Sequence, residues 1–530
     1  MKAIRGLVLL ILVSGLITPS YISAQESMSV TISAATPTGA PETGLTKTDF
    51  KVQDSGKERP ITSFVAPNPH AAAPAKLPPN EFSNIPDVRE TGGAVFVVLD
   101  TAHTLYIDEG ETRAQILKFL ANAAQAKRAV TLAILSEKGF RVYHDYRSGS
   151  DLLMAALIKA GLGSTKGATL PAGVNEAAVS AEAERLTAFS KGEGSNASPR
   201  ERMQMIVDLP MRMFQEVGLA AAGLPGRKML VWVTNDVPFD IDPKTKQFKS
   251  PVESSHGVSV GGATVGGTKD ALSTAEVKNI MPIWRRGVRA LFDGGVSVYP
   301  VEVRGSSAAG AASLSIDTMK TLAQLTGGKA FYGSNDPFPD ILSIAATNTA
   351  GYTLGVGNDS STGSDFHPVD VSVSHPNIQL NQSAGYFPHE GNPKSRAGQE
   401  VGLAMSSPLE FTGVLFRITV AGMEDGSAGK KKVNLVITLP GNSGILNEAA
   451  GSVNVGFLAE ATNASGQKIG TMNEGAEGKF PPDAVAQIKE LGFQLKRSFE
   501  VSPGECSVRF LVRDNQTGRT GDLIFPLTVK

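Results

Sequence analysis

A serine-centred motif is the first place where the chain could do chemistry. Gly257-Val258-Ser259-Val260-Gly261 matches the Gly-x-Ser-x-Gly pattern of a nucleophile elbow, in which a strained turn between a buried strand and a helix exposes the serine. Here a Ser-Ser-His segment precedes the motif and a glycine-rich stretch follows it. The sequence therefore predicts neither the strand that should precede the motif nor the helix that should follow it. A chance match in a loop is favoured over a nucleophile elbow. A serine hydrolase using Ser259 is the least favoured function.

The sequence contains no other complete catalytic or metal-binding motif. Residues 261–267, Gly-Gly-Ala-Thr-Val-Gly-Gly, lack the Lys-Ser/Thr pair and the preceding strand of a phosphate-binding loop. The chain has no His-Glu-x-x-His motif, and its one cysteine, Cys506, excludes an intrachain disulfide framework and a cysteine-based zinc cluster. We therefore predict no catalytic residue and no enzymatic activity.

Length and composition predict a folded chain of several domains. At roughly 100–200 residues per domain, 530 residues suggest about three or four domains. The chain is 41% hydrophobic and 19% charged, with a net charge of −1. A mostly disordered chain would be less hydrophobic and more highly charged. A nucleic-acid partner is not expected either, because such proteins carry a basic excess.

The N-terminus predicts export. Lys2 and Arg5 precede the apolar run 7–13, and small residues follow as far as Ala24. This order is typical of a secretory signal peptide, residues 1–24, cleaved after Ala24. The apolar run is too short for a membrane-spanning helix, which needs about 20 residues. We expect a periplasmic or secreted protein with no transmembrane segment in the mature chain.

Changes in residue pattern divide the mature chain. Residues 25–65 alternate apolar and polar in short runs and predict a β element, and the Pro- and Ala-rich residues 66–92 predict a linker. In residues 93–350, apolar runs such as 94–99, 130–135, 229–234 and 296–301 alternate with helical stretches, one of them expected at 150–160. That alternation predicts a doubly wound, Rossmann-like α/β sheet.

Helical patterns nearly vanish after residue 350. Residues 351–388 contain short strands that we expect to pair with the N-terminal β element, so that the α/β part is an insertion between them. A spacer is expected at 389–405. Residues 406–530 contain regularly spaced short strands, which predict an immunoglobulin-like β-sandwich.

Several segments give the chain a resemblance to bacterial von Willebrand factor type A-related proteins over about residues 40–388. Each segment is weakly specific, but the set occurs in order and at suitable spacing. The segments are 44–50, 54–57, 97–101, 228–232, 298–301, 325–332 and 385–387. The resemblance implies a von Willebrand type A α/β domain over residues 93–350.

The resemblance also implies a place for a metal ion. Type A domains often hold Mg²⁺ at the carboxyl edge of the sheet, through an Asp-x-Ser-x-Ser motif with a threonine and an aspartate from later loops. Here Asp100, Thr104, Thr169 and Asp236 match those positions, with Thr165 a competitor for Thr169. Ala102 departs from the motif because it has no oxygen to offer. A site for Mg²⁺ or Ca²⁺ and a degenerate, metal-free site both remain open, since Asp100 could instead cap a helix or bind a loop.

These observations predict an exported, non-catalytic protein that binds an unidentified protein or matrix ligand through the edge of its α/β sheet. The alternative is a structural envelope protein that acts through the β-sandwich.

Overall fold

The computed structural model describes residues 27–67, 77–86, 93–103, 106–163, 165, 168–191, 199–234, 237–249, 258–260, 263–265, 274–302, 313–334, 336–348, 351–357 and 363–530. The predicted signal peptide, residues 1–24, lies outside them. The described chain forms two compact units, one from residues 27–67 and 86–390 and the other from residues 77–85 and 391–530. No helix in these ranges is both long enough and apolar enough to cross a membrane.

Strands and helices alternate along the first unit, whereas strands dominate the second. The strands are β1 (Ser27–Ala35), β2 (Phe50–Asp54), β3 (Lys57–Arg59), β4 (Ile61–Val65), β5 (Glu81–Ser83), β6 (Val95–Asp100), β7 (Val130–Ser136), β8 (Gly139–His144), β9 (Lys228–Thr234), β10 (Asp240–Ile241), β11 (Phe248–Lys249), β12 (Val258–Val260), β13 (Ala263–Val265), β14 (Val296–Glu302), β15 (Gly351–Gly357), β16 (His367–Val373), β17 (Gln379–Asn381), β18 (Gly385–Tyr386), β19 (Arg417–Asp425), β20 (Lys431–Leu439), β21 (Ser452–Asn463), β22 (Lys468–Lys479), β23 (Phe493–Val501), β24 (Gly504–Asp514) and β25 (Thr520–Val529). The α-helices are α1 (Tyr106–Gln125), α2 (Ser150–Ala160), α3 (Glu176–Lys191), α4 (Pro199–Ala221), α5 (Thr274–Asp293), α6 (Ser313–Thr326), α7 (Phe338–Thr347), α8 (Pro393–Ser406) and α9 (Pro482–Leu491).

A five-stranded sheet in the order β14-β9-β6-β7-β8 organises the centre of the first unit. The first four strands are parallel, and β8 pairs antiparallel at the edge. Every residue of β6, β9 and β14 is buried, because helices cover both faces of the sheet. One face packs side chains such as Leu99 and Val233 against α1, α2, α3 and α7. On the other face, Trp232 contacts Phe214 of α4.

Two four-stranded sheets form the rest of the core of the first unit, in the orders β17-β1-β15-β4 and β18-β16-β2-β3. Strand β1 pairs with β15 from Ser27↔Gly357 to Ser33↔Gly351, and β2 pairs with β16. Apolar side chains of both sheets share one buried cluster. Residues before the central sheet and residues after it therefore build one common core.

The second unit is one antiparallel sheet of eight strands, in the order β25-β24-β21-β22-β23-β20-β19-β5. Alternate side chains of its long strands enter a single apolar cluster. Strand β5 comes from the segment predicted as a linker and pairs with β19. The segment predicted as a spacer, 389–405, contains most of helix α8, which Asn392 caps by accepting from the amide of Ser395.

The fold class predicted from the sequence is wrong. We expected a doubly wound, Rossmann-like von Willebrand type A domain flanked by an N-terminal β element and an immunoglobulin-like β-sandwich. The described strands instead form six sheets, of which only the five-stranded one has parallel pairs. The supposed β-sandwich also takes a strand, β5, from the segment predicted as a linker. Apolar runs identify strands, but the partner of a strand is set by hydrogen bonds to a distant segment, which periodicity does not encode.

Candidate functional site

Three polar residues end neighbouring parallel strands at the carboxyl edge of the five-stranded sheet. Asp100 ends β6, Thr234 ends β9 and Glu302 ends β14. Glu302 pairs in register with Thr234, and Leu99 pairs with Val233, so the three end residues lie at one level of the sheet. They are buried, with 0%, 0% and 2% of their surface exposed. This edge is where open α/β sheets bind ligands, which makes it the first candidate site.

The carboxylate of Asp100 accepts hydrogen bonds from four donors. Oδ1 accepts from the backbone amides of Ala102 and His103, both at 3.1 Å. Oδ2 lies 2.7 Å from Nδ1 of His103 and accepts from Nε1 of Trp232 at 3.0 Å. Asp100 thus ties the turn that follows β6 to an indole on the neighbouring strand.

The indole of Trp232 is the first of three aromatic rings that contact one another in series. The ring of Trp232 stacks near that of Phe239, with centroids 6.4 Å apart and planes 9° apart. Phe239 in turn contacts Trp284 of α5, with centroids 5.5 Å apart. The two tryptophans of the chain therefore lie on either side of one phenylalanine. The sequence predicts Trp232 as a core residue of its strand, but nothing in the sequence reports its bond to Asp100.

The structure describes two of the four predicted metal ligands. Asp100 lies at the edge of the sheet, and Thr169 lies in a loop with its side chain exposed to solvent. Thr104 and Asp236 lie outside the described residues. Ala102 is buried and offers no oxygen. Among the described residues, no group of three or more His, Cys, Asp or Glu side chains is arranged to hold a metal ion.

The described part of this edge therefore does not fit a cation. Both oxygens of Asp100 already accept hydrogen bonds, and a Mg²⁺ or Ca²⁺ ion would need those oxygens as ligands. The ligand set implied by the family resemblance stays a prediction for the residues outside the description.

Ser259 lies within a short hairpin. Strand β12 pairs antiparallel with β13, and Ser259 is opposite Thr264 in that register. A nucleophile elbow places its serine at the turn between a strand and a helix, not within a paired strand. The backbone at Ser259 therefore lacks the geometry that the motif requires.

A second candidate site, which the sequence did not predict, is an open strand edge in the second unit. Strand β22 pairs with β21 along its whole length, but with β23 only at Gly470↔Val501. The carbonyl of Gly475 points away from β21, because it accepts a hydrogen bond from Nη2 of Arg497 on β23 at 3.1 Å. Alternate residues of a strand direct their backbone groups the same way, so Asn473 and Glu477 face this side as well. We call Asn473, Gly475 and Glu477 the β22 edge.

Arg497 bridges the gap between β22 and β23. Its Nη1 donates to the carbonyl of Lys496 at 2.9 Å, and its Nε lies 3.0 Å from Oε2 of Glu474. The guanidinium carbon lies 5.4 Å from the ring centroid of Phe457, which is buried. All three residues of the β22 edge are exposed, and no described residue pairs with their outward backbone groups apart from Arg497. Strand β22 contains several glycines and charged residues, which are untypical of a strand. Sequence periodicity therefore did not predict β22.

Comparisons with known proteins give only distant likenesses. No protein-family model and no curated protein matches the chain. A point mutant of the PilB minor pilin from Streptococcus sanguinis is 12% identical, with a TM-score of 0.25, over 48% of this chain and 62% of the pilin. The open conformation of the pilus adhesin SpaC from Lactobacillus rhamnosus GG is 9% identical, with a TM-score of 0.27, over 83% of this chain and 52% of the adhesin.

A Bacteroides uniformis beta-glucuronidase is 10% identical, with a TM-score of 0.15, over 34% of this chain and 19% of the enzyme. The chain thus spans less than two thirds of each of these proteins, and the TM-scores are too low to assign either a fold or a function.

Proposed function

We propose that the chain is an exported, non-catalytic protein that makes structural protein–protein contacts in the cell envelope through the second unit. Export follows from the basic residues, the apolar run and the small residues that precede Gln25. The envelope is the first compartment that an exported chain reaches. Contact through the second unit is the alternative that the sequence leaves open. It has stronger geometric support than contact through the carboxyl edge of the five-stranded sheet.

The observation that carries this proposal is the β22 edge. An unpaired strand edge presents a row of N–H and C=O groups to which another chain can add as a further strand. The two ends of the same sheet, β25 and β5, are better covered. The side chain of Asn84 binds the carbonyls of Phe411 and Val414 next to β5, and the carboxylate of Asp522 in β25 accepts from the amide of Phe411. The β22 edge is therefore the place in this unit where a partner strand meets least competition.

Contact through the carboxyl edge of the five-stranded sheet has weaker support. Asp100, the predicted centre of that contact, uses both carboxylate oxygens inside the protein. A serine hydrolase has no support from the backbone at Ser259, which is paired within a hairpin.

A proline at the β22 edge tests the proposal. The amide of Asn473 faces away from β21, so Asn473→Pro removes an edge donor without breaking the β21 ladder. We expect chemical crosslinking in the native cell-envelope fraction to yield protein complexes with the wild-type chain, and those complexes to be lost with Asn473→Pro.

The matched control is Ala421→Pro. Ala421 is the extra residue at the bulge in β19, another exposed position of the same sheet, where proline is also tolerated. Ala421→Pro should crosslink like the wild type, and so should Ser259→Ala, which removes the serine of the hydrolase alternative. Cooperative melting of every variant would show that each one is folded. Undiminished crosslinking of Asn473→Pro, or equal loss in Ala421→Pro, would contradict contact through the β22 edge.

A further inference from the structure

We infer that the Asp100 carboxylate is a hydrogen-bond anchor that holds the turn after β6 against the indole of Trp232, and that it does not act as a ligand for Mg²⁺ or Ca²⁺. This inference concerns the first unit and does not rest on contact through the β22 edge. It departs from the metal site that the sequence resemblance implies.

The donors around Asp100 fill the acceptor positions of its carboxylate. An ionised carboxylate has about four lone-pair positions, two on each oxygen. Asp100 meets four donors, two amides on Oδ1 and two side-chain N–H groups on Oδ2, at 2.7 to 3.1 Å. Each carboxylate oxygen thus has two donors, and a cation could bind only by displacing at least one of them.

The Asp100 carboxylate and its side-chain partners are shielded from solvent. Asp100 is fully buried, and the side chains of His103 and Trp232 that face it are buried too, with 4% and 0% exposed. A donor displaced by a cation would be left in a site without solvent, where an unsatisfied N–H group is costly. A cation would also need several further oxygen ligands, and the side chain at the nearest motif position, Ala102, supplies none.

The same contacts give Asp100 a positioning role. By accepting from Trp232, Asp100 fixes one end of the aromatic chain that continues through Phe239 to Trp284. By accepting from Ala102 and His103, it fixes the turn that leads into α1. A change at Asp100 should therefore alter the surroundings of the Trp232 indole, whereas a divalent cation should not.

Titration of the full mature chain with Mg²⁺, Ca²⁺ and Mn²⁺, each to 5 mM, is the direct test. We expect no saturable heat by calorimetry and no shift in melting temperature. Saturable binding that is lost in Asp100→Asn would overturn the inference. Absence of binding in the wild-type titration supports the inference even where the variant folds poorly.

Tryptophan emission tests the positioning role. In a Trp284→Phe background, Trp232 is the sole tryptophan of the chain. Asp100→Asn places an amide nitrogen against donors, so we expect a shifted Trp232 emission maximum and a lower melting temperature.

The control is Asp365→Asn, at an exposed aspartate of the same unit. We expect this variant to match the parent in emission and melting. If Asp100→Asn behaves like Asp365→Asn in both measurements, Asp100 is not an anchor and the inference fails.

Discussion

Arg227, the residue immediately before β9, donates from Nη1 to the carbonyl of Thr31 on β1 at 2.8 Å, although the two residues lie 196 positions apart in the chain. The same guanidinium donates to Oγ of Ser297 on β14 and, at 2.6 Å, to the carbonyl of Thr326 at the end of α6. Arg227 is fully buried, and burial lowers its pKa to about 10. One side chain thus links the five-stranded sheet, a helix end and the sheet that contains β1.

Replacing Arg227 should destabilise the first unit strongly. Arg227→Met keeps the length of the side chain but leaves the carbonyls of Thr31 and Thr326 without this donor. Hydrogen bonds to charged groups contribute about 1.5–3 kcal/mol each, so the loss of these two should lower the free energy of unfolding by about 3–6 kcal/mol. Urea denaturation followed by circular dichroism would measure it. Arg212→Met, at an exposed arginine of α4 that pairs with Asp208, should change the same free energy by less than about 1 kcal/mol.

Lys228, the next residue, should make stability depend on pH above neutrality. Its ammonium group is buried and donates to the carbonyls of Leu224 and Gly226. Burial, with a smaller effect from the charge of Arg227, lowers the pKa of Lys228 from 10.5 to about 7. Between those two values the unfolded chain binds more protons than the folded chain, so stability rises with pH, by up to about 1.36 kcal/mol per pH unit.

Lys228→Met should remove that rise. We expect wild type to gain stability in urea denaturation between pH 7 and pH 9, and Lys228→Met to gain much less. Lys278→Met, at an exposed lysine of α5, should keep the wild-type slope. Parallel pH profiles for wild type and Lys228→Met would show that the lysine is not buried as the structure describes.

The sequence predicts the buried parallel strands well because each is a continuous apolar, β-branched run. The runs expected at 94–99 and 229–234 correspond to β6 and β9 within one residue at each end. The helix expected at 150–160 has the bounds of α2. Such local patterns depend on side chains that are close in sequence, so they can be read without a structure.

Pairing and contacts across the fold could not be read in the same way. Strand β22 has glycines and charges instead of an alternating apolar pattern, and β21 supplies its register. The sequence places Asp100 at a strand end, but its bond to Trp232 spans 132 residues. The cap and proline that begin α8, Asn392 and Pro393, form a recognisable helix start that the spacer prediction overlooked.

The buried carboxylate of Glu182 in α3, which contacts β8, should make the first unit sensitive to acid. Nδ1 of His144 lies 2.5 Å from Oε1 of Glu182, and Arg185 pairs with the same carboxylate. Burial alone would raise the pKa of Glu182, but His144 and Arg185 outweigh it and hold that pKa below its usual value. A lowered carboxyl pKa stabilises the fold above the pKa of the unfolded state, and that contribution is lost as pH falls.

Glu182→Gln should therefore destabilise the chain at pH 7 and matter less in acid. Removing one partner of a buried pair costs about 3–5 kcal/mol, which we expect as the loss at pH 7. The difference from wild type should begin to shrink by pH 4, below the usual glutamate pKa of 4.5, because the unfolded chain takes up a proton there. The folded Glu182, with its lowered pKa, takes one up only at lower pH. Glu184→Gln, on the same helix but exposed, is the control. Urea denaturation at both pH values separates the outcomes, and a pH-independent difference would contradict this account.

The turn after α6 should not tolerate a side chain at Gly328. The amide of Gly328 donates to the carbonyl of Ala323 at 2.7 Å, and a Cβ added to Gly328 would lie 1.9 Å from the carbonyl oxygen of Val298 in β14. Because the nearest atoms are all backbone atoms of Val298 in a buried strand, the clash cannot be relieved by rotating a side chain.

Gly328→Ala should therefore lower the melting temperature by several degrees, as overpacking of this kind typically costs about 1–3 kcal/mol. Gly110→Ala offers the opposite case, because a Cβ at Gly110 in α1 meets no atom within 4 Å. That substitution should stabilise the helix by about 0.5–1 kcal/mol, since alanine loses less conformational entropy than glycine. Differential scanning calorimetry of the two variants should show shifts of opposite sign, and an unchanged Gly328→Ala chain would mean that α6 approaches β14 less closely.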